Sequence, residues 1–81
     1  MRVEVRLFAT LSLFLPRASR DGAVSLEVPA DSTVHDVLVR LGVPLELERV
    51  ALVNGADATP DRALHPGDVL TVFPPLVGGS R

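Results

Sequence analysis

Ser32-Thr33-Val34-His35-Asp36-Val37-Leu38-Val39-Arg40-Leu41-Gly42-Val43-Pro44 is the stretch on which the fold turns. Val34, Val37, Leu38 and Leu41 stand at i, i+3, i+4 and i+7, so they share one face of a helix. Ser32 or Thr33 suits the N-cap, and Thr33-x-x-Asp36 approximates a capping box with Asp in place of Glu. Gly42 stands where a left-handed C-terminal cap belongs, and Pro44 follows it. The spacing predicts a helix over 33–41.

Everything around this helix reads as strand. Upstream, Val3, Val5 and Leu7 alternate with Arg2, Glu4 and Arg6, the period of a strand with one buried face. Phe8 and Ala9 extend it. Thr10 is placed to cap a short helix over Leu11–Leu15 that Pro16 ends. Arg17 to Gly22 is polar turn material. Val24, Leu26 and Val28 alternate again, and Pro29 stops that strand. Downstream, Leu45 to Arg49 reads either as loop or as one helical turn. Val50 to Val53 is a third strand. Asn54-Gly55 is the strongest short hairpin signal, because both turn positions tolerate positive φ. Thr59 to Pro66 is irregular, with Leu64 as a plug beneath it, and Pro66-Gly67-Asp68 is a turn. Val69 to Phe73 is the last strand, ended by Pro74-Pro75, since proline adds no N–H to a ladder. One helix cannot cover both faces of a sheet. The expected architecture is therefore an α+β roll, a mixed sheet with the long helix packed on one face.

The remaining residues, Phe73-Pro74-Pro75-Leu76-Val77-Gly78-Gly79-Ser80-Arg81, are the most informative for function. The prolines fix φ and favour an extended, projecting path. Leu76 and Val77 are apolar on a segment with little domain left to pack against, as anchors for a partner would be. Gly78 and Gly79 lack a Cβ and can enter a slot too narrow for a side chain. Gly-Gly-Ser is also the composition of a flexible linker. The Pro-Pro-apolar-apolar lead-in argues against that reading, because a linker needs no anchor. A last strand leading into an apolar arm places exposed apolar area there, so Phe8, Phe73, Leu76 and Val77 are expected to form a contact patch.

Composition narrows the chemistry. Eighty-one residues make one domain, and 47% of them are apolar. There is no cysteine, so no side chain can be a thiolate nucleophile or carry a persulfide. Net charge is −2 and all eight basic residues are arginines without a basic stripe, which argues against nucleic-acid binding. No apolar run approaches a membrane span, and the opening strand pattern is not a signal peptide. The cytoplasm is the expected location. His35 and His65 are isolated and do not make a metal site by spacing. Asp57, Asp61 and Asp68 lie in turn-rich sequence and read as turn residues or as an acidic patch. No Ser-His-Asp order, paired carboxylates or phosphate loop is present.

Element order, the opening Arg6-Leu7-Phe8-Ala9-Thr10-Leu11, the Val53-Asn54-Gly55 and Gly67-Asp68 turns and the Pro74-Pro75-Leu76-Val77-Gly78-Gly79 ending together resemble the ubiquitin-like sulfur carriers. That family includes the small subunit of molybdopterin synthase and the thiamin-pathway carrier. The resemblance spans essentially the whole chain. It implies a ubiquitin-like β-grasp domain over 1–75 and a functional tail over 76–81. In this family an adenylating enzyme akin to the ubiquitin-activating enzymes uses ATP and Mg²⁺ to convert the terminal glycine carboxylate into an acyl-adenylate. A persulfide donor then leaves a thiocarboxylate. Carried over, Gly79 bears the sulfur and Gly78 supplies clearance. Phe8, Phe73, Pro74, Pro75, Leu76 and Val77 meet partners: the adenylating enzyme and a large synthase subunit or other sulfur acceptor. The chain itself binds no cofactor and acts as a protein cosubstrate. Ser80-Arg81 depart from the family pattern, in which the carboxylate lies on the last glycine. A precursor extension removed by a tail-processing protease, an expression artefact and a protein outside sulfur transfer all fit that departure. The resemblance also admits a ubiquitin-like protein modifier, or a binding module that kept only the fold.

Overall fold

The computed structural model describes residues 1–16, 22–44, 46 and 49–75. The tail residues Leu76, Val77, Gly78, Gly79, Ser80 and Arg81, and the turn around Arg17 and Arg20, lie outside the described residues.

Strand β1 runs over Arg2–Leu7, β2 over Ala23–Glu27, β3 over Val50–Val53, β4 over Ala56–Asp57 and β5 over Val69–Phe73. They form one sheet in the order β2-β1-β5-β3-β4. β1 and β5 pair in parallel at the centre, and the other pairings are antiparallel. β2 and β3 therefore run the same way with two strands between them. Such a connection must cross the sheet, and helix α1, Val34–Leu41, lies within it. That crossing is why one amphipathic helix suffices to cover one face.

The period-two pattern of β1 converts directly into burial. Val3, Val5 and Leu7 are buried, together with Val53 of β3, Leu70 and Val72 of β5, and Val34, Val37 and Leu38 of α1. Leu64 is buried as expected, and Leu11, Val28 and Val43 join the same core. Each such side chain contributes roughly 1.5–3 kcal/mol relative to exposure.

The helix ends are closed by the residues expected. Thr33 Oγ1 accepts from Asp36 N–H at 3.1 Å, and Asp36 Oδ2 accepts from Thr33 N–H at 3.0 Å. That backbone hydrogen bond, and the one from the Thr33 side chain, hold the Asp36 carboxyl below its ordinary pKa. The next orphan donors are taken up by the loop before β5: Val34 N–H donates to Arg62 O and His35 N–H to Pro60 O. Gly42 adopts φ 84°, and Val43 N–H returns to Leu38 O, placing buried Val43 against the helix end. Thr33→Ala should cost about 1 kcal/mol, read as a lower urea midpoint with an unchanged slope.

One local expectation is corrected and one open alternative falls away. Thr10 does not cap the short helix. A 3-10 helix covers Ala9–Phe14, Phe8 occupies its cap position without a side-chain hydrogen bond, and Ala9 takes φ 54°. The helix starts where β1 runs out, before Thr10 can act, and its single buried residue is Leu11. Asp68 is the turn residue its sequence suggests, its N–H donating to His65 O at 3.0 Å, and not part of an exposed acidic patch. It is 9% exposed and accepts hydrogen bonds at both carboxylate oxygens, from His65 N–H at 2.8 Å and from Asn54 Nδ2 at 3.0 Å.

Candidate functional site

The site is built where the central strand β5 ends. The register pairs Leu7 with Val72 across β1 and β5, and Phe8 N–H donates to Val72 O, so the parallel pairing continues one residue and sets Phe8 beside Phe73. On the other side Phe73 lies opposite Val50. Leu7 and Val72 face the core, so Phe8, Phe73 and Val50 fall on the opposite face, which no helix covers among the described residues. They form one apolar row across three strands at the end from which the chain passes into Pro74-Pro75.

The row does not stand alone. Leu52 and Val69 share that face by the same alternation, and both are half-buried. Val24, Leu26 and Ala51 fringe the core from within, whereas Val50, Leu52, Val69 and Phe73 are not part of that cluster. Phe8 is 45% exposed. Across the sheet the same face turns ionic. Arg2 pairs with Glu27 at 3.1 Å, and Arg6 pairs with Glu4. Such exposed pairs stabilise little, but they border the apolar half with charge.

The register sets Phe8 and Phe73 side by side, and Pro74 and Pro75 follow them half-buried. The expected companions Leu76, Val77, Gly78 and Gly79 lie outside the described residues. Val50, Leu52 and Val69 are additions that sequence reading missed. Val50-Ala51-Leu52-Val53 is apolar on both faces, so only the pairing register reveals which residues turn outward.

A second cluster holds that register. Asn54 and Gly55 take φ 53° and 87°, closing the β3–β4 hairpin. Asn54 N–H donates to Val69 O at 2.8 Å, and Asn54 Oδ1 accepts from Val69 N–H at 2.9 Å. Its Nδ2 donates to Asp68. The first residue of β5 is clamped on both backbone groups, which fixes the face on which Phe73 emerges four residues later. The hydrogen bond from His65 N–H, then that from Asn54, holds the Asp68 carboxyl below the usual carboxylate pKa against the opposing effect of burial.

Among the described residues no group of three or more His, Cys, Asp or Glu side chains is placed to hold a metal ion. Nor, among these residues, is any helix long and apolar enough to cross a membrane.

A mixed sheet with a parallel central pair, crossed on one face by a single helix, is the ubiquitin-like β-grasp. The chain belongs to the Mut7-C ubiquitin family, whose model matches residues 1–77. It is 30% identical to SAMP1 from Haloferax volcanii, with a TM-score of 0.74 over 98% of this chain and 100% of that one. A Pyrococcus furiosus protein described as a candidate molybdopterin converting factor, subunit 1, is 25% identical, with a TM-score of 0.65 over 91% of this chain and 97% of that one. The fold is also that of a Helicobacter pylori molybdopterin-converting factor complex of subunits 1 and 2, at 20% identity and a TM-score of 0.62 over 98% of this chain and 100% of that one. No curated sequence matches the chain. The resemblance to the small ubiquitin-like carriers, and the α+β roll it implies, therefore stand.

Proposed function

We propose that the chain is a sulfur carrier whose reactive group is the carboxylate of Gly79. The observation that carries this reading is the path of β5. The central strand ends at Phe73 in the Phe8–Phe73–Val50 row and runs on into Pro-Pro-Leu-Val-Gly-Gly. An apolar row thus lies where the chain passes into Pro74-Pro75, and the sequence beyond supplies two apolar anchors, Leu76 and Val77, followed by two residues without side chains, Gly78 and Gly79.

The chemistry belongs to the carboxylate and to partners. A carboxylate is a poor electrophile. Attack of Gly79 on the α-phosphate of ATP, on an adenylating enzyme that also holds Mg²⁺, releases pyrophosphate and gives an acyl-adenylate. The terminal sulfur of a persulfide displaces AMP, and cleavage of the S–S bond by a second thiol leaves the thiocarboxylate. No cysteine in this chain competes for that sulfur. The carboxylate must be free, so a protease that removes residues beyond Gly79 belongs to the reading. The acceptor is most simply the large subunit of a molybdopterin synthase, given the likeness to the Pyrococcus protein. Supplied with ATP, Mg²⁺, the adenylating enzyme and a persulfide donor, a chain ending at Gly79 should exchange one oxygen for sulfur in its intact mass. An unchanged mass, with the adenylating enzyme shown to be active on its own carrier, would sink the proposal.

A second reading, attachment of Gly79 to lysines of other proteins, is favoured by the likeness to SAMP1, a small archaeal modifier protein. It predicts covalent adducts on immunoblots from cells that contain the activating enzyme, and their absence there would exclude it.

The arm's anchors give a separate test. Val77→Asp should weaken partner binding about tenfold or more while moving the melting temperature by less than about 2 °C. A larger thermal loss would make Val77 a core residue.

A further inference from the structure

The two edges of the sheet are not alike. β4, at one edge, has two residues, Ala56–Asp57, and so offers little to a passing strand. β2, at the other, has five residues in unbroken register with β1. It contains no proline, lysine or bulge, the devices by which natural edges are protected. Among the described residues, no strand pairs with its outer side.

The backbone groups of that edge can be assigned. Met1 and Val28 exchange both hydrogen bonds, and Leu7 N–H donates to Gly22 O. With the observed register, the even-numbered residues of β2 bond to β1. The N–H and C=O groups of Ala23, Ser25 and Glu27 therefore point away from the sheet.

We infer that this edge pairs with the same edge of a second copy, β2 against β2, antiparallel about a two-fold axis through Ser25. In that register Ala23 faces Glu27 of the second copy, Ser25 faces Ser25, and Glu27 faces Ala23. All three pairs are of the kind that exchanges both backbone bonds. On the helix side, half-buried Val24 lies opposite half-buried Leu26 of the second copy, and the reverse. On the open face, Arg6 lies beside Ala23 and Arg2 beside Glu27. A row across the joined sheets then reads Arg6, Ala23, the other copy's Glu27 and the other copy's Arg2, with the carboxylate between two cations and only a methyl group in the way. Centring the pairing on Glu27 would set two carboxylates face to face and is disfavoured. A foreign strand could use the same backbone groups, but the charge order of this edge complements itself. The inference is independent of the tail chemistry, since β1 separates the edge from β5 and no residue of β2 belongs to the Phe8–Phe73–Val50 row.

The test uses the whole chain, in sedimentation and amide hydrogen exchange across a concentration series up to about 1 mM, the range suited to a small interface. The mass should rise from 8.6 kDa toward twice that value. The amides of Ala23, Ser25 and Glu27 should gain concentration-dependent protection, while those of Val24 and Leu26, already bonded to β1, should not change. Ser25→Lys, at an exposed position, places two ammonium groups together at the axis and should weaken association about tenfold or more. Ser25→Pro removes only an outward N–H and should do the same with the β1–β2 ladder intact. A monomer throughout the series, protection confined to other residues, or unchanged association of both variants would overturn the inference.

Discussion

A chain ending at Gly78 should accept no sulfur under conditions in which the chain ending at Gly79 is converted. Both keep the sheet, the Phe8–Phe73–Val50 row, Pro74-Pro75 and the apolar anchors, so both should dock on the adenylating enzyme. The shortened chain presents its carboxylate one residue, at most about 3.6 Å, short of the reacting phosphate. A misplacement of about 1 Å can already cost a hundredfold in rate. The expected result is retained binding with sulfur uptake reduced at least a hundredfold, read from intact mass. Equal uptake by the two chains would show that the position of Gly79 does not matter and would remove it from the chemistry. Loss of binding by the shorter chain would mean that Gly79 is itself an anchor.

Asp68→Asn should destabilise the fold by about 2 kcal/mol, since hydrogen bonds to a charged group are worth roughly 1.5–3 kcal/mol. The carboxylate accepts at both oxygens, from His65 N–H and from Asn54 Nδ2. An amide can accept at one and must turn an NH₂ toward a donor at the other. For a domain of this size the loss corresponds to a fall in melting temperature of roughly 10 °C. The sign of the pH effect follows from the direction of the pKa change. The Asp68 carboxyl lies below its ordinary value in the folded chain, so its stabilisation is present above the unfolded pKa of about 3.9. It is lost as pH falls through the folded pKa, and Asp36 adds in the same direction. Denaturation curves at neutral pH and below pH 4 should therefore converge for the wild type and Asp68→Asn as the acid is approached. A variant within about 0.5 kcal/mol of the wild type at neutral pH would show that the cluster around Asn54 does not hold β5 in register.

Where local chemistry decides, the sequence was legible. The helix over 34–41 announces its buried face, its capping box and its left-handed stop within ten residues. β1 alternates cleanly because one face of it meets solvent. Asn54-Gly55 names its own turn. What was not legible is set by long-range pairing. Val50 and Leu52 belong to a run that is apolar on both faces, and the run of Val69 breaks that pattern only at Thr71, so periodicity could not assign them to the open face, and the row beside Phe8 and Phe73 came into view only with the register. Asp68 reads correctly as a turn residue, but nothing beside it in sequence marks it as buried. Its burial depends on Asn54, fourteen residues away. Thr10 had the chemistry of a cap but not the position, because β1 ends two residues earlier than such a cap requires. Of the candidate site, the tail motif was the plainest feature of the sequence, while the apolar row beside Pro74-Pro75 needed the fold.

Whether Gly79 bears the reactive carboxylate can be read from the intact mass of the protein recovered from its native cell. A species ending at Gly79, part of it carrying sulfur in place of one oxygen, is expected. A population in which residues follow Gly79 throughout, in cells where the gene is in use, would contradict it.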